Sequence, residues 1–414
     1  MFWEKKLDDW VNGMRAQAAL PLRLQLWNGR QFDFSAQAPE VTIRVPKPSA
    51  LSYLLNPSLD NLGRAYVEGK LEVEGHLRAI FDVANMLAER GFKQGSRLGQ
   101  LFTPRSHSRK QDAQAIEYHY DVSNAFYQAF LDPALVYSCA YFEDGDEDLA
   151  TAQQKKIDHI LTKIDLRPGQ TLLDIGCGWG TLVIRAAQNF GARCTGITLS
   201  KNQLALATER VKELGLEDRV SIRLLDYRDM NGQFDRITSV GMFEHVGLKN
   251  LPLYFARIRD LLADDGLAMN HGICTTNTDQ ATARHGAGEF IEQYVFPHGE
   301  LPHIGTVLAT MQDGGMEALD VENLRRHYAR TCAIWAENFE RHDALVRSLV
   351  DDRKYRIWRV YLAGCAHAFR HDWISLYQVV CGKSGRDADA LRWSRRYMYD
   401  GNAAICAASP QTAS

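Results

Sequence analysis

The stretch Leu172-Leu173-Asp174-Ile175-Gly176-Cys177-Gly178-Trp179-Gly180 constrains the fold of this chain more than any other. Two leucines lead into an acid, glycines then alternate, and Thr181-Leu182-Val183-Ile184-Arg185-Ala186-Ala187 follows with helical periodicity. That order reads as a buried strand, a tight turn and a helix N-terminus. Glycine serves where backbone passes close to a ligand or takes positive φ. The spacing is D-x-G-x-G-x-G, not the G-x-G-x-x-G of pyrophosphate binders. It predicts a turn that makes room for a nucleoside with a non-phosphate tail, with Asp174 placed to meet an amine or hydroxyl. The plain alternative is a glycine turn that only lets helix and strand pack closely.

From residue 116 onward, strand-like and helix-like segments alternate, which predicts a doubly wound α/β domain with a parallel sheet. The expected strands are 171–175, 193–198, 220–225, 234–240 and 267–272. The second ends in Gly196-Ile197-Thr198-Leu199-Ser200, about twenty residues past the glycine turn, where such folds put a ribose-binding side chain. Many nucleoside binders carry an acid there; this chain offers Thr198 and, on the next helix, Gln203, as neutral partners for ribose hydroxyls. Ser200 also reads as the cap of the helix beginning at Lys201. After the third strand, Asp226 and Tyr227 offer a polar edge and an aromatic face suited to an adenine.

The chain has 414 residues, enough for two domains. Residues 1–95 read as a small α+β domain, with strand-like 22–26 and 41–45, an Asn28-Gly29 hairpin signal and a helical run from Leu77 to Leu87. Residues 96–115 read as a linker. Around it Lys93, Arg97, Arg105, Arg109 and Lys110 sit among Gly, Ser and Gln, as a solvated tether or as cations near anionic lipid headgroups. Residues 116–407 form the second domain. A net charge of −3 argues against a general nucleic-acid binder. No apolar run is long enough to cross a bilayer, and the N-terminus lacks the continuous apolar stretch of a signal peptide. The eight cysteines are scattered without a CxxC pair, so no disulfide framework or metal site is expected and a reducing cytoplasm fits.

Several further segments stand at sites suited to chemistry. They are Tyr137-Ser138-Cys139, Met242-Phe243-Glu244-His245-Val246-Gly247, His271-Gly272-Ile273-Cys274 and Arg325-Arg326-His327-Tyr328. The second and third lie at carboxyl ends of expected strands, where open α/β sheets place their ligands. Taken singly, each has an ordinary structural explanation. The glycine run resembles the first motif of S-adenosylmethionine (AdoMet)-dependent methyltransferases. With Glu117-Tyr118-His119-Tyr120-Asp121, Phe296-Pro297, His327-Tyr328-Ala329-Arg330-Thr331 and Tyr361-Leu362-Ala363-Gly364-Cys365-Ala366, the set resembles cyclopropane-fatty-acyl-phospholipid synthases and the similar mycolic acid methyltransferases. The matching stretches span residues 116–382. The N-terminal block, with Glu68-Gly69-Lys70-Leu71-Glu72-Val73-Glu74-Gly75, favours the phospholipid-acting branch.

The resemblance implies a Rossmann-like methyltransferase domain. Its reaction is transfer of a methylene group from AdoMet to the cis double bond of an unsaturated phospholipid acyl chain. The alkene takes the sulfonium methyl, a carbocation remains, and loss of a proton from the new methyl closes the ring. A cysteine thiolate would risk alkylation, and the family's answer is a bound bicarbonate. Its holders by resemblance are Cys139, Glu244, His271, Tyr328 and the backbone at Ile273. Tyr328 and the Cys139 backbone donate hydrogen bonds, while Glu244 and His271 orient the ion and relay its proton. Contacts to AdoMet fall by resemblance to Tyr137, Ser138, Asp174, Gly176, Gly178, Gly180, Thr198, Gln203, Asp226 and Tyr227.

Aromatic residues Tyr118, Tyr120, Phe126, Tyr127 and Phe130 are expected on a helix before the cysteine segment. With Tyr294, Phe296, Trp335 and Tyr361 they supply core packing, and some an acyl channel. The resemblance further implies a homodimer, peripheral on the inner membrane face, with the N-terminal domain docking on the bilayer. Related outcomes are a lipid C-methyltransferase giving a methyl- or methylene-branched chain, and a non-catalytic lipid-binding protein. One departure concerns the histidine segment, which in the family often reads H-T-I; here Gly272 stands between His271 and Ile273. The polar loop 275–288 is expected over the active site or against the membrane.

Overall fold

A computed structural model describes residues 2–55, 57–91, 122–278, 290, 293–295 and 300–400. The 96–115 linker, the Glu117–Asp121 segment, Phe296-Pro297, residues 279–288 of the polar loop and the stretch beyond residue 400 lie outside the described residues. The chain divides into two compact units. The first comprises Met1–Arg105, Ala281–Pro297 and Phe339–Ala368; the second comprises Ser106–Gln280, His298–Asn338 and Phe369–Ser414. The division does not follow chain order, since two later segments belong with the N-terminal block.

In the first unit, strands β1 (Leu22–Leu26), β2 (Gln31–Asp33), β3 (Val41–Val45) and β4 (Glu72–Gly75) form a sheet in the order β2-β1-β3-β4. β1 and β2 are the antiparallel hairpin signalled by Asn28-Gly29, and β1 runs parallel to β3. Alternation sets the faces: Leu22, Leu24, Leu26, Val41, Ile43 and Val45 are all buried, each worth about 1.5–3 kcal/mol relative to exposure. Ser58 caps helix Leu59–Val67 by accepting from the Asn61 N–H. Tyr66 at its end is held by Arg359, whose guanidinium donates to the phenol oxygen at 3.0 Å, and by Arg356, which donates to the Tyr66 carbonyl at 3.0 Å. Tyr294 is buried in this unit with Val67, Phe290 and Ile357, and Tyr361 packs against the same cluster, so both serve as core.

In the second unit, β5 (Thr171–Ile175), β6 (Arg193–Thr198), β7 (Val220–Leu224), β8 (Phe234–Val240), β9 (Leu262–Thr275), β10 (Met316–Asn323) and β11 (Ile374–Lys383) form one sheet, ordered β10-β11-β9-β8-β5-β6-β7. The pairs β5–β6, β5–β8, β6–β7 and β8–β9 are parallel, as the alternating pattern requires. β9 begins five residues before the expected start, directly after helix Leu251–Leu261. β10 and β11 are additional strands: β11 runs antiparallel to both β9 and β10. The core lies on both faces of the sheet.

The helix expected through Phe126, Tyr127 and Phe130 is shorter than read, covering only Asn124–Gln128. Chain reversal stops it. Asp132 accepts the N–H groups of Ala134 and Val136 at 2.9 Å each, and Leu135 takes a positive φ of 59°. The three aromatics nonetheless cluster, edge to face, beside Tyr137. The order of strands reverses at β5, with β6 on one side and β8 on the other. The crevice at the carboxyl ends of these strands is therefore the switch point at which doubly wound sheets bind ligands.

Candidate active site

A cavity opens at that switch point. Tyr137, Ser138, Asp174, Gly176, Gly178, Thr198, Gln203, Asp226 and Tyr227 all line it. Gly176 has a φ of +80°, a conformation L side chains rarely adopt, and a Cβ there would meet Met242 at 3.3 Å. Gly180 is the exception among the candidate cofactor residues. It is absent from the lining, and a Cβ on it would press on Ala207 at 3.2 Å. Its task is close packing of the helix Thr181–Phe190.

Most polar groups of the cavity already have partners. Asp174 accepts from the Thr238 hydroxyl at 2.7 Å. Burial pushes its carboxyl up to about 6, opposed by that hydrogen bond and by the charge of Lys156. Thr198 donates to the Gln203 carbonyl oxygen at 2.8 Å, and Ser200 caps the helix by accepting from the Gln203 N–H at 3.3 Å. Asp226 accepts from the Arg228 guanidinium at 2.6 Å, and that guanidinium lies 5.5 Å from the Tyr227 ring centre. An amine and hydroxyls can bind here by exchanging these partners.

Two residues not anticipated from sequence hold the Tyr137-Ser138 wall. Lys156 is buried in the cavity lining and donates to the Ser138 hydroxyl at 2.8 Å. Its ammonium is pushed down to about 8 by burial, against the opposing influence of Cys139, Asp132 and Asp174. Gln153 donates to the carbonyls of Val136 and Ser138 at 3.2 and 2.8 Å. Both side chains come from the helix Leu149–Lys163, on the buried stripe that includes Ala152, Ile157 and Ile160. A polar residue in the phase of an apolar stripe was the available signal. His245 also lines the cavity, and burial lowers it to about 4.

The five candidate ion holders lie outside the lining of this cavity, and three of them, Cys139, Glu244 and His271, adjoin residues that line it. Cys139 follows Ser138, and Glu244 sits between Met242 and His245. His271 on β9 is paired with Val240 of β8. A series of backbone contacts links four of them, Glu244, Ile273, Tyr328 and Cys139, while His271 stands outside it. Glu244 Oε1 accepts from the Ile273 N–H at 2.7 Å. Ile273 stands opposite Leu376 in the β9–β11 ladder. The Leu376 carbonyl accepts from the Leu324 N–H at 2.9 Å, and the Leu324 carbonyl accepts from the Tyr328 N–H at 3.0 Å. Cys139 Sγ lies 3.9 Å from that same Leu324 carbonyl. Tyr328 opens the expected late helix, Arg325–Arg341, stacked on Phe369 at 4.5 Å and edge-on to Trp335. Trp335 in turn packs 5.2 Å from Tyr137.

This cluster differs from the cavity in leaving polar atoms unpaired. Glu244 Oε2 and His271 Nε2 are buried without a hydrogen-bond partner among the described residues. Gln378 Nε2 approaches His271 Nδ1 at 3.3 Å, which leaves Nε2 as the ring nitrogen with no partner. Burial, with Lys156 and Lys163 nearby, holds His271 well below its ordinary value, so the ring is neutral. Burial raises the Glu244 carboxyl to about 7, against the Ile273 N–H. Burial also pushes the Cys139 thiol far up, so it is no nucleophile. A carboxylate oxygen and an imidazole nitrogen, both buried and unpaired, are groups that could hold a small anion such as bicarbonate, which both accepts and donates hydrogen bonds.

Comparison with known proteins gives the chain's relatives. Residues 107–379 match the family described as Mycolic acid cyclopropane synthetase, and residues 10–96 match one described as Domain of unknown function (DUF7884). A "Probable fatty acid methyltransferase" of Pseudomonas putida is 49% identical over 383 residues, 92% of this chain and 96% of that protein. The cyclopropane-fatty-acyl-phospholipid synthase of Escherichia coli (strain K12) is 36% identical over 344 residues, 82% of this chain and 87% of that protein. Among solved structures, the mycolic acid cyclopropane synthase CmaA1 complexed with SAH and CTAB superposes with a TM-score of 0.63 at 34% identity, covering 66% of this chain and 98% of that one.

Proposed function

The chain belongs to the mycolic acid cyclopropane synthetase family, and from that premise we propose that it transfers a one-carbon unit from AdoMet to the cis double bond of a phospholipid acyl chain, closing a cyclopropane ring. The observation that carries this reading is the cavity at the switch point, lined by nine of the candidate cofactor residues, with two buried unpaired atoms, Glu244 Oε2 and His271 Nε2, on segments that adjoin its lining. AdoMet, when bound, supplies an electrophilic sulfonium methyl. The nine lining residues named above would hold it, with Asp174 toward its amine and Thr198 and Gln203 toward its ribose.

Ring closure requires a proton to leave the new methyl group, and the chain's own side chains limit what can take it. The Cys139 thiol is too weak an acid to ionise here, which spares it from alkylation. His271 is neutral, because burial holds its ring well below the ordinary value. Glu244, near 7, is poised to exchange a proton at neutral pH. Bicarbonate, when bound, supplies a proton acceptor that is not consumed by alkylation. Glu244, His271, Tyr328, Cys139 and the Ile273 backbone would surround it.

A second reading has support in the relative named a fatty acid methyltransferase: the same cation resolved to a methyl- or methylene-branched chain. The test combines purified protein, AdoMet and cis-unsaturated phospholipid vesicles, followed by mass and NMR analysis of the lipid. A gain of one CH2 per chain with cyclopropane protons at high field is expected. The same mass with olefinic methylene signals, or, in a parallel assay supplied with a hydride donor such as a reduced nicotinamide, a mass two hydrogens higher, identifies the branched product. Unchanged lipid sinks both readings. We further propose peripheral action at the inner membrane face, as a homodimer. Among the described residues, no helix is long and apolar enough to cross a membrane.

A further inference from the structure

We propose that Gly272 is a positioning residue for Glu244: the space left by its missing side chain seats the Phe243 ring, and that seat holds the Glu244 carboxylate against β9. The inference rests on the assignment of Glu244 to the site and goes beyond it, because Gly272 itself touches neither substrate nor ion. A Cβ built on Gly272 would lie 1.6 Å from Phe243 Cε1, 2.1 Å from Cδ1 and 2.8 Å from Cζ. Ordinary carbon–carbon contact is about 3.5–4.0 Å. The ring therefore occupies the volume that a side chain at 272 would fill.

The ring has no free direction in which to retreat. Phe243 is 2% exposed and belongs to a buried cluster with Val246, Leu251, Tyr254 and Ile258. Interiors at crystal-like density do not absorb a displaced aromatic ring without moving backbone. The backbone that would move is the short turn Phe243–His245, closed by Val246 N–H to the Phe243 carbonyl at 3.0 Å. Glu244 is its middle residue. The turn is tied to β9 at two points: Gly241 N–H to the His271 carbonyl at 2.8 Å, and Ile273 N–H to Glu244 Oε1 at 2.7 Å. These anchors flank Gly272. Seating Phe243 on residue 272 lets a turn after β8 reach across to β9 with its carboxylate in register. The glycine that interrupts the expected H-T-I pattern is on this account one half of a matched pair with Phe243.

The test uses the full-length protein in four forms: Gly272→Ala, Phe243→Leu, the two combined, and Glu244→Gln. Each is labelled with 15N-isoleucine, and the Ile273 amide shift is followed with AdoMet affinity, kcat and KM. Gly272→Ala is expected to move the Ile273 amide toward its position in Glu244→Gln and to lower kcat by about 10²-fold, with AdoMet affinity unchanged. Trimming Phe243 in the combined variant is expected to return both the amide shift and most of kcat. An unmoved Ile273 amide in Gly272→Ala overturns the proposal, as does a loss of kcat that the combined variant does not relieve. If Gly272→Ala alone does not fold, the combined variant decides: folding with a native-like Ile273 shift supports the seat, and failure to fold rejects it. Full activity in Glu244→Gln would refute the site assignment instead, while the amide shift would still report on the seat.

Discussion

The donor cavity and the polar cluster beside it are built from neighbouring residues, yet they treat polar groups in opposite ways. In the cavity, side chains satisfy one another: Thr198 with Gln203, Asp226 with Arg228, Asp174 with Thr238. In the cluster, Glu244 and His271 each keep one atom unpaired in the interior. An unsatisfied buried polar atom costs about 1–3 kcal/mol, so the cluster is held at an energetic disadvantage that a bound partner would relieve. The cavity is stable as it stands and exchanges partners on binding. On the proposed function, this difference makes donor binding and proton removal separable, although a few residues divide them.

That separation can be broken first at Glu244. Glu244→Gln is expected to lower kcat by about 10²–10⁴-fold while calorimetry shows AdoMet binding nearly intact. Loss of AdoMet binding in that variant would mean the two regions are one. Asp174→Asn makes the converse cut. It removes the charge facing the expected amine and is expected to weaken AdoMet by about 10–100-fold, without altering the pH dependence of turnover at saturating donor.

The pH profile sharpens the contrast. Burial raises the folded Glu244 carboxyl to about 7, so it is protonated below that pH and ionised above it. If the ionised form is the one that takes part, kcat/KM rises as pH passes about 7, and the limb disappears in Glu244→Gln. His271 stays neutral throughout because its own shift is downward. The smallest effect belongs to neither region. Asp148 caps the helix carrying Gln153 and Lys156 by accepting from Thr151 N–H at 2.8 Å. Asp148→Ala should cost about 1 kcal/mol of stability in denaturant titration and leave AdoMet affinity unchanged.

Much of the fold was legible because the parallel strands are short apolar runs ended by glycine or polar residues. β5, β6 and β8 begin and end where the pattern says, and Ser200 caps the helix it was expected to cap. β11 was not legible because it is buried on both faces, which removes the alternation that marks a strand. The lining of the switch-point cavity was legible where its residues stand at strand ends. Lys156 was missed although it falls in the phase of an apolar stripe, since a lysine amid a helix reads as solvated until its partner Ser138, on the loop before that helix, is known. Gly272 was visible only as a departure from a pattern; its reason lies in the Phe243 ring that chain reversal lays upon it.

The most direct test of the central claim is the bicarbonate dependence of lipid modification in carbon-dioxide-depleted buffer. Unmodified protein is expected to show little turnover there and a saturable return as bicarbonate is added, with the return lost in Glu244→Gln. Full turnover without bicarbonate would contradict the assignment of an anion to the Glu244–His271 pair.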